Sequence, residues 1–252
     1  MGFVVYSGLW IALIALGLLH AAAAALQVAL PPRLTALVAL GSFSVYNLDR
    51  LRDFAGDARD KPRRGQFVQR NERELGWLSA AAGTAAIVLT VQSGWRTSFL
   101  LGAVGLLSLV HPWLKRVPGF KPLYIGLSWM LVVTGLPLIA GGLPVSRGVN
   151  ELWPLGAAIV ANVLACDVAD HEAEALWLGE GGVWNLALAI ALLGAASLLV
   201  LPMPSRTLGL VPLALLLALL PRRRDEHYVA LGLDGALLVG AMAALGWMRW
   251  LG

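Results

Sequence analysis

Polar residues in this chain come in short bursts between long apolar runs. The runs lie near residues 3–30, 33–48, 75–92, 97–113, 122–142, 152–168, 182–201, 207–220 and 228–250. Most approach the ~20 residues an α-helix needs to cross a bilayer. Inside lipid, each backbone N–H and C=O must be paired within its own segment, so runs of this kind predict helices. Nine crossings follow, the eighth being the shortest. Pro31–Pro32, Pro112, Pro118, Pro144 and Pro221 mark ends or turns. The first run has no basic segment before it and is long enough to span. It is expected to be a first transmembrane helix rather than a cleaved signal. No strong repeat, low-complexity linker or soluble stretch interrupts the pattern. The fold class expected is all-α, polytopic, as one transmembrane domain over residues 1–252.

Composition agrees. Of 252 residues, 58% are hydrophobic and 13% are charged, against roughly 25% charged in soluble proteins. The basic residues sit in a few loops, as membrane topology demands. The pI of about 9.6 therefore does not imply a nucleic acid partner. With the N-terminus in the cytoplasm, fourteen of the 19 Lys and Arg fall on cytoplasmic loops, which satisfies the positive-inside rule. A bacterial inner membrane is the expected location, and membrane lipid the expected surroundings. The single cysteine, Cys166, excludes an internal disulfide and a cysteine metal cluster.

Candidate chemistry begins at the end of the second run, in the stretch DRLRDFAGDARDKPRR from Asp49 to Arg64. Asp49, Asp53 and Asp57 are spaced four apart, so on a helix they share one face. Carboxylates stacked in this way repel each other unless a cation sits among them. Magnesium is the natural candidate, a hard cation bound by carboxylates together with substrate phosphates. Arg59, Lys61, Arg63 and Arg64 follow at once, giving the layout of a diphosphate site. A charged membrane-surface loop whose acids and bases neutralise each other is the alternative.

A second acidic group follows the sixth run, in CDVADHEAE. Asp167, Asp170 and Glu174 fall three and four apart on one helical face, while Glu172 points elsewhere. Acids at the end of a membrane helix are costly unless paired or bound. No Lys or Arg lies within this loop, so a metal or a base from another loop is required, or else a solvated face. Lys115, Arg116 and Lys121, after the fourth run, lie on the same membrane side. Lysines at such a helix end are also ordinary topology signals.

Two acidic motifs ending the second and sixth of nine helices resemble the UbiA superfamily of intramembrane prenyltransferases. That family's first motif is Asn-x3-Asp-x3-Asp, followed by Pro-x-Arg. Here Asp49, Asp53 and Asp57 precede Pro62 and Arg64, with Asp in place of the leading Asn and Asn47 two residues early. The second motif resembles Asp-x2-Asp-x-Glu-x-Asp, matched by Asp167, Asp170, Glu172 and Glu174 with Glu in the last place. The His111-Pro-Trp-Leu-Lys115-Arg116 run and the Asp234–Gly235 pair are also family-like. The base that usually follows the second motif is missing, since the chain continues Ala175-Leu-Trp-Leu-Gly-Glu180.

The resemblance implies helices around a cavity open to lipid, with polyprenyl diphosphate and a lipophilic acceptor as partners. It implies Mg2+ held by Asp49, Asp53 and Asp57, and a second ion by Asp167, Asp170 and Glu174. Asp53 and Asp170 are the central members of the two sets. Arg64, Lys115, Arg116 and Lys121 would bind the diphosphate. Phe43, Tyr46, Asn47 and Tyr124 would line the pocket, with Trp113 a further aromatic candidate. Three rivals stand beside this reading: a non-catalytic scaffold or lipid binder, a transporter, and a CDP-alcohol phosphatidyl transferase. The acids cluster at helix ends and only Asp234 lies well inside a run, which disfavours transport. The last rival needs a Gly that Asp57-Ala58-Arg59 lacks.

Overall fold

The computed structural model describes residues 2–52, 61–114, 119–169 and 178–251. Among them every regular element is helical, and each of the nine apolar runs lies on helix. Five helices are long and apolar enough to cross a membrane: Glu72–Gln92, Lys121–Ala140, Val145–Ala169, Gly179–Val200 and Tyr228–Trp250. Three apolar helices are shorter: Leu9–Ala25, Trp95–Val110 and Ser205–Leu219. Helices long and apolar enough to span are thus shown for five of the nine runs. Helix Pro32–Arg52 matches them in length, but its last turn carries Asp49, Arg50 and Arg52.

The chain divides into two compact units, residues 1–16 with 31–98 and residues 17–30 with 99–252. The first unit contains α1 (Gly2–Tyr6), the start of α2 (Leu9–Ala25), α3 (Pro32–Arg52), α4 (Pro62–Arg70) and α5 (Glu72–Gln92). The first apolar run, expected as one helix, breaks at Ser7–Gly8. There the Leu9 N–H turns to Ser7 Oγ at 3.3 Å, and the Gly8 N–H donates to Asn47 Oδ1 at 2.9 Å. A side chain cannot replace the glycine, because its Cβ would stand 2.6 Å from the Phe43 carbonyl. Small residues bring α3 and α5 together in the same way. Ser44 Oγ donates to the Ser79 carbonyl at 2.8 Å, and a Cβ on Gly83 would lie 2.7 Å from Ser44 Oγ. Close approach of small residues is how helices adhere where lipid removes the hydrophobic drive.

The second unit holds the end of α2, then α6 (Trp95–Leu114, from Phe99), α7 (Lys121–Ala140), α8 (Val145–Ala169), α9 (Gly179–Val200) and α10 (Ser205–Leu219). The last helix, α11, opens with a π turn at Tyr228–Leu233 and continues through Asp234–Leu251. Its core is apolar, with Leu155, Leu215 and Trp184 buried. The Trp184 indole N–H donates to the Leu219 carbonyl at 3.2 Å, meeting the need of a buried indole for a partner. A second π turn, Leu131–Gly135, interrupts α7 just before Pro137. Proline cannot donate to the carbonyl four residues back and its ring crowds it, and the wider turn relieves that conflict.

Candidate functional site

Of the expected metal ligands, Asp49 and Asp167 lie in described helices. Asp53, Asp57, Asp170 and Glu174 lie outside the described residues, as do Lys115 and Arg116. Among the described residues no three His, Cys, Asp or Glu side chains gather closely enough to hold a metal ion.

In the first unit, Asp49 is half-buried in the last turn of α3. Beside it, Arg50 is buried and donates to the Tyr6 carbonyl at 2.5 Å. Phe43 and Tyr46 are half-buried on α3. Asn47 is fully buried, and its amide is engaged at both ends: Oδ1 accepts from the Gly8 N–H, and Nδ2 donates to the Phe43 carbonyl at 2.9 Å. Arg64 is half-buried on α4. That helix starts with a proline in its first turn, where a missing N–H costs nothing. Its buried side presents Gly65 and Val68. Phe67 packs edge-on against Phe3, with centroids 5.8 Å apart.

The second unit brings two expected residues together. Lys121 opens α7, again with proline in the first turn. Its Nζ stands 2.8 Å from Asp167 Oδ1, with side-chain exposures of 21% and 7%. The base that the acidic loop lacks in sequence therefore comes from the neighbouring helix. Tyr124, one turn further along α7, is buried, its ring 6.0 Å from Phe120. Trp113 is exposed.

Cys166, the chain neighbour of Asp167, meets residues that spacing did not assign to a site. Cys166 Sγ is 3.9 Å from Asn162 Oδ1, one turn back on α8, and 4.0 Å from Asp234 Oδ1, just after the opening π turn of α11. Two carboxylates, one ammonium group, an amide and a thiol thus come from three helices. Asn162 was visible in the sequence as the lone polar residue between 157 and 165, and Asp234 as the acid inside a run. Their meeting at Cys166 depends on helix packing, which periodicity does not report.

The three arginines after α10 also find partners. Arg222 donates to Asn185 Oδ1 at 2.8 Å, and Arg224 pairs with Glu180. Arg223 pairs with Asp225 at 3.0 Å and lies over the Tyr228 ring. Asp225 caps α11 by accepting the Tyr228 N–H at 3.1 Å. Desolvation raises the Asp225 pKa, but the Tyr228 hydrogen bond and the Arg223 guanidinium outweigh it and hold the carboxyl below its ordinary value.

No family model, curated protein or solved structure matches this chain.

Proposed function

We propose that the chain is a membrane-embedded transferase that moves a prenyl group from a polyprenyl diphosphate to an aromatic or other lipophilic acceptor. The observation that carries this reading is the Lys121–Asp167 pair. A base suited to diphosphate and a carboxylate suited to a metal come from different helices and stand 2.8 Å apart. In the finer form of the proposal the chain crosses a bacterial inner membrane nine times. A cavity opens to lipid and the motif loops are cytoplasmic.

The donor chemistry fits magnesium, since both motifs offer hard carboxylate oxygens. Asp49, Asp53 and Asp57 would hold one ion, and Asp167, Asp170 and Glu174 a second. When bound, magnesium supplies Lewis-acid stabilisation of the diphosphate leaving group. The chain's own bases add to this. Lys121 would supply fixed positive charge where the leaving group becomes more negative, and Arg64, Lys115 and Arg116 are the other bases assigned to the diphosphate. With Asp167 given to an ion, Lys121 would be the residue that holds the diphosphate. Phe43, Tyr46 and Tyr124 are the aromatic residues assigned to the prenyl group, and a ring face would stabilise an allyl cation. Asn47 is left out of this scheme, because its amide already serves the packing of Gly8 on α3.

A lipid-binding scaffold without catalysis is the second reading. It is favoured by the same ion pair, in which acid and base satisfy each other without a ligand. Isothermal titration in detergent with a non-hydrolysable prenyl diphosphate analogue separates the two. The transferase reading expects binding that requires magnesium. It also expects Lys121→Ala to weaken binding, because one lost charged hydrogen bond is worth ~1.5–3 kcal/mol, or about ten- to a hundredfold. No binding by the unaltered protein with magnesium present overturns that reading.

A further inference from the structure

About 24 Å along α8 from Asp167, by the helical rise, a second acid is buried more deeply. Glu151 is 2% exposed. Its Oε1 accepts a hydrogen bond from Ser205 Oγ, at the start of α10, at 2.6 Å. Its Oε2 is buried without a hydrogen-bond partner. The nearest bases in sequence, Arg147 and Arg206, are exposed, and no base pairs with Glu151 among the described residues.

A second orphan oxygen lies on the helix that packs against this part of α8. Thr134, in the π turn of α7, is 1% exposed, and its Oγ1 also lacks a partner. Its methyl group lies 3.1 Å from the position a Cβ on Gly148 would take. Glu151 is three residues beyond Gly148, one turn on and on the same side of the helix. The backbone here is also rich in acceptors. Pro154 lies inside α8 and cannot donate to the Asn150 carbonyl, nor can Pro137 to that of Val133.

A buried carboxylate oxygen with no partner is strongly unfavourable, and so is a buried hydroxyl. A cation reached by both oxygens would remove both penalties. We propose that Glu151, Ser205 and Thr134 form an oxygen-lined site for a small monovalent cation, with sodium as the ion of matching charge and hardness. One carboxylate balances one positive charge. Magnesium would leave an excess charge and gives up its water reluctantly. The site ties α7, α8 and the start of α10 together. It stands independently of prenyl transfer, and its ligands are distinct from every residue assigned to that reaction.

An ion bound only by the folded state raises its stability with concentration. The test is thermal unfolding of the full chain in detergent, followed by tryptophan fluorescence. Sodium chloride is titrated against choline chloride at constant ionic strength. The unaltered protein should gain Tm saturably with sodium and gain nothing from choline. Glu151→Gln should abolish the gain. Thr134→Val and Ser205→Ala should each raise the half-saturating sodium about tenfold, as expected for one lost charge-assisted contact. Should Glu151→Gln fail to fold, the other two variants carry the test. Equal Tm in sodium and choline overturns the site, as does a sodium response unchanged in all the variants that fold.

Discussion

Lys121 and Asp167 stand 2.8 Å apart, at the start of one helix and near the end of the next. Neither position is costly alone at a wet helix end. With 7% of its side chain exposed, however, the Asp167 carboxylate is mostly out of water, and the ammonium group offsets part of that cost. Removing either side chain takes a charge-assisted contact from the other. Lys121→Met and Asp167→Asn should each destabilise the fold, and the double variant should recover part of the loss. A double-mutant cycle from denaturation midpoints should give a coupling of about 1–3 kcal/mol. Additive single effects would mean that the two charges do not sense each other.

Asn47 makes a different kind of claim. Its amide joins the Gly8 N–H to α3, and the side chain is fully buried. Asn47→Leu strands the Gly8 N–H and should cost about 1–3 kcal/mol of stability. Affinity for a prenyl diphosphate analogue, measured on the folded fraction, should stay unchanged. Weaker binding at unaltered stability would return Asn47 to the pocket.

Asp225 sets a pH signature. Its carboxyl is held below its ordinary value in the folded chain. Its contribution is therefore full above the unfolded value of about 3.9 and is lost as pH falls through the folded value. The Tm difference between the unaltered protein and Asp225→Asn should be constant from pH 7 to 5 and shrink below about pH 4. A difference that changes mainly between pH 5 and 7 would assign the effect to another group.

Much of the helical layout could be read from hydrophobicity, because lipid leaves a long apolar run no other regular structure. The break at Ser7–Gly8 could not, since it depends on Asn47 some forty residues away. The π turn of α7 had a local sign in Pro137, but a proline inside an apolar run is also compatible with a simple kink. In the site, spacing singled out Asp167 and Lys121 separately. Their pairing required the antiparallel packing of α7 on α8. Glu151 gave no signal at all, because one acid beside a loop looks solvated until Ser205 is folded over it.

Prenyl transfer itself is tested most directly by turnover. Purified protein in detergent, given a panel of prenyl diphosphates, magnesium and candidate acceptors, should release diphosphate only when magnesium is present. Asp53→Asn and Asp170→Asn should each abolish that release while leaving Tm little changed. The contradicting result is no release from any prenyl diphosphate by folded, unaltered protein at saturating magnesium.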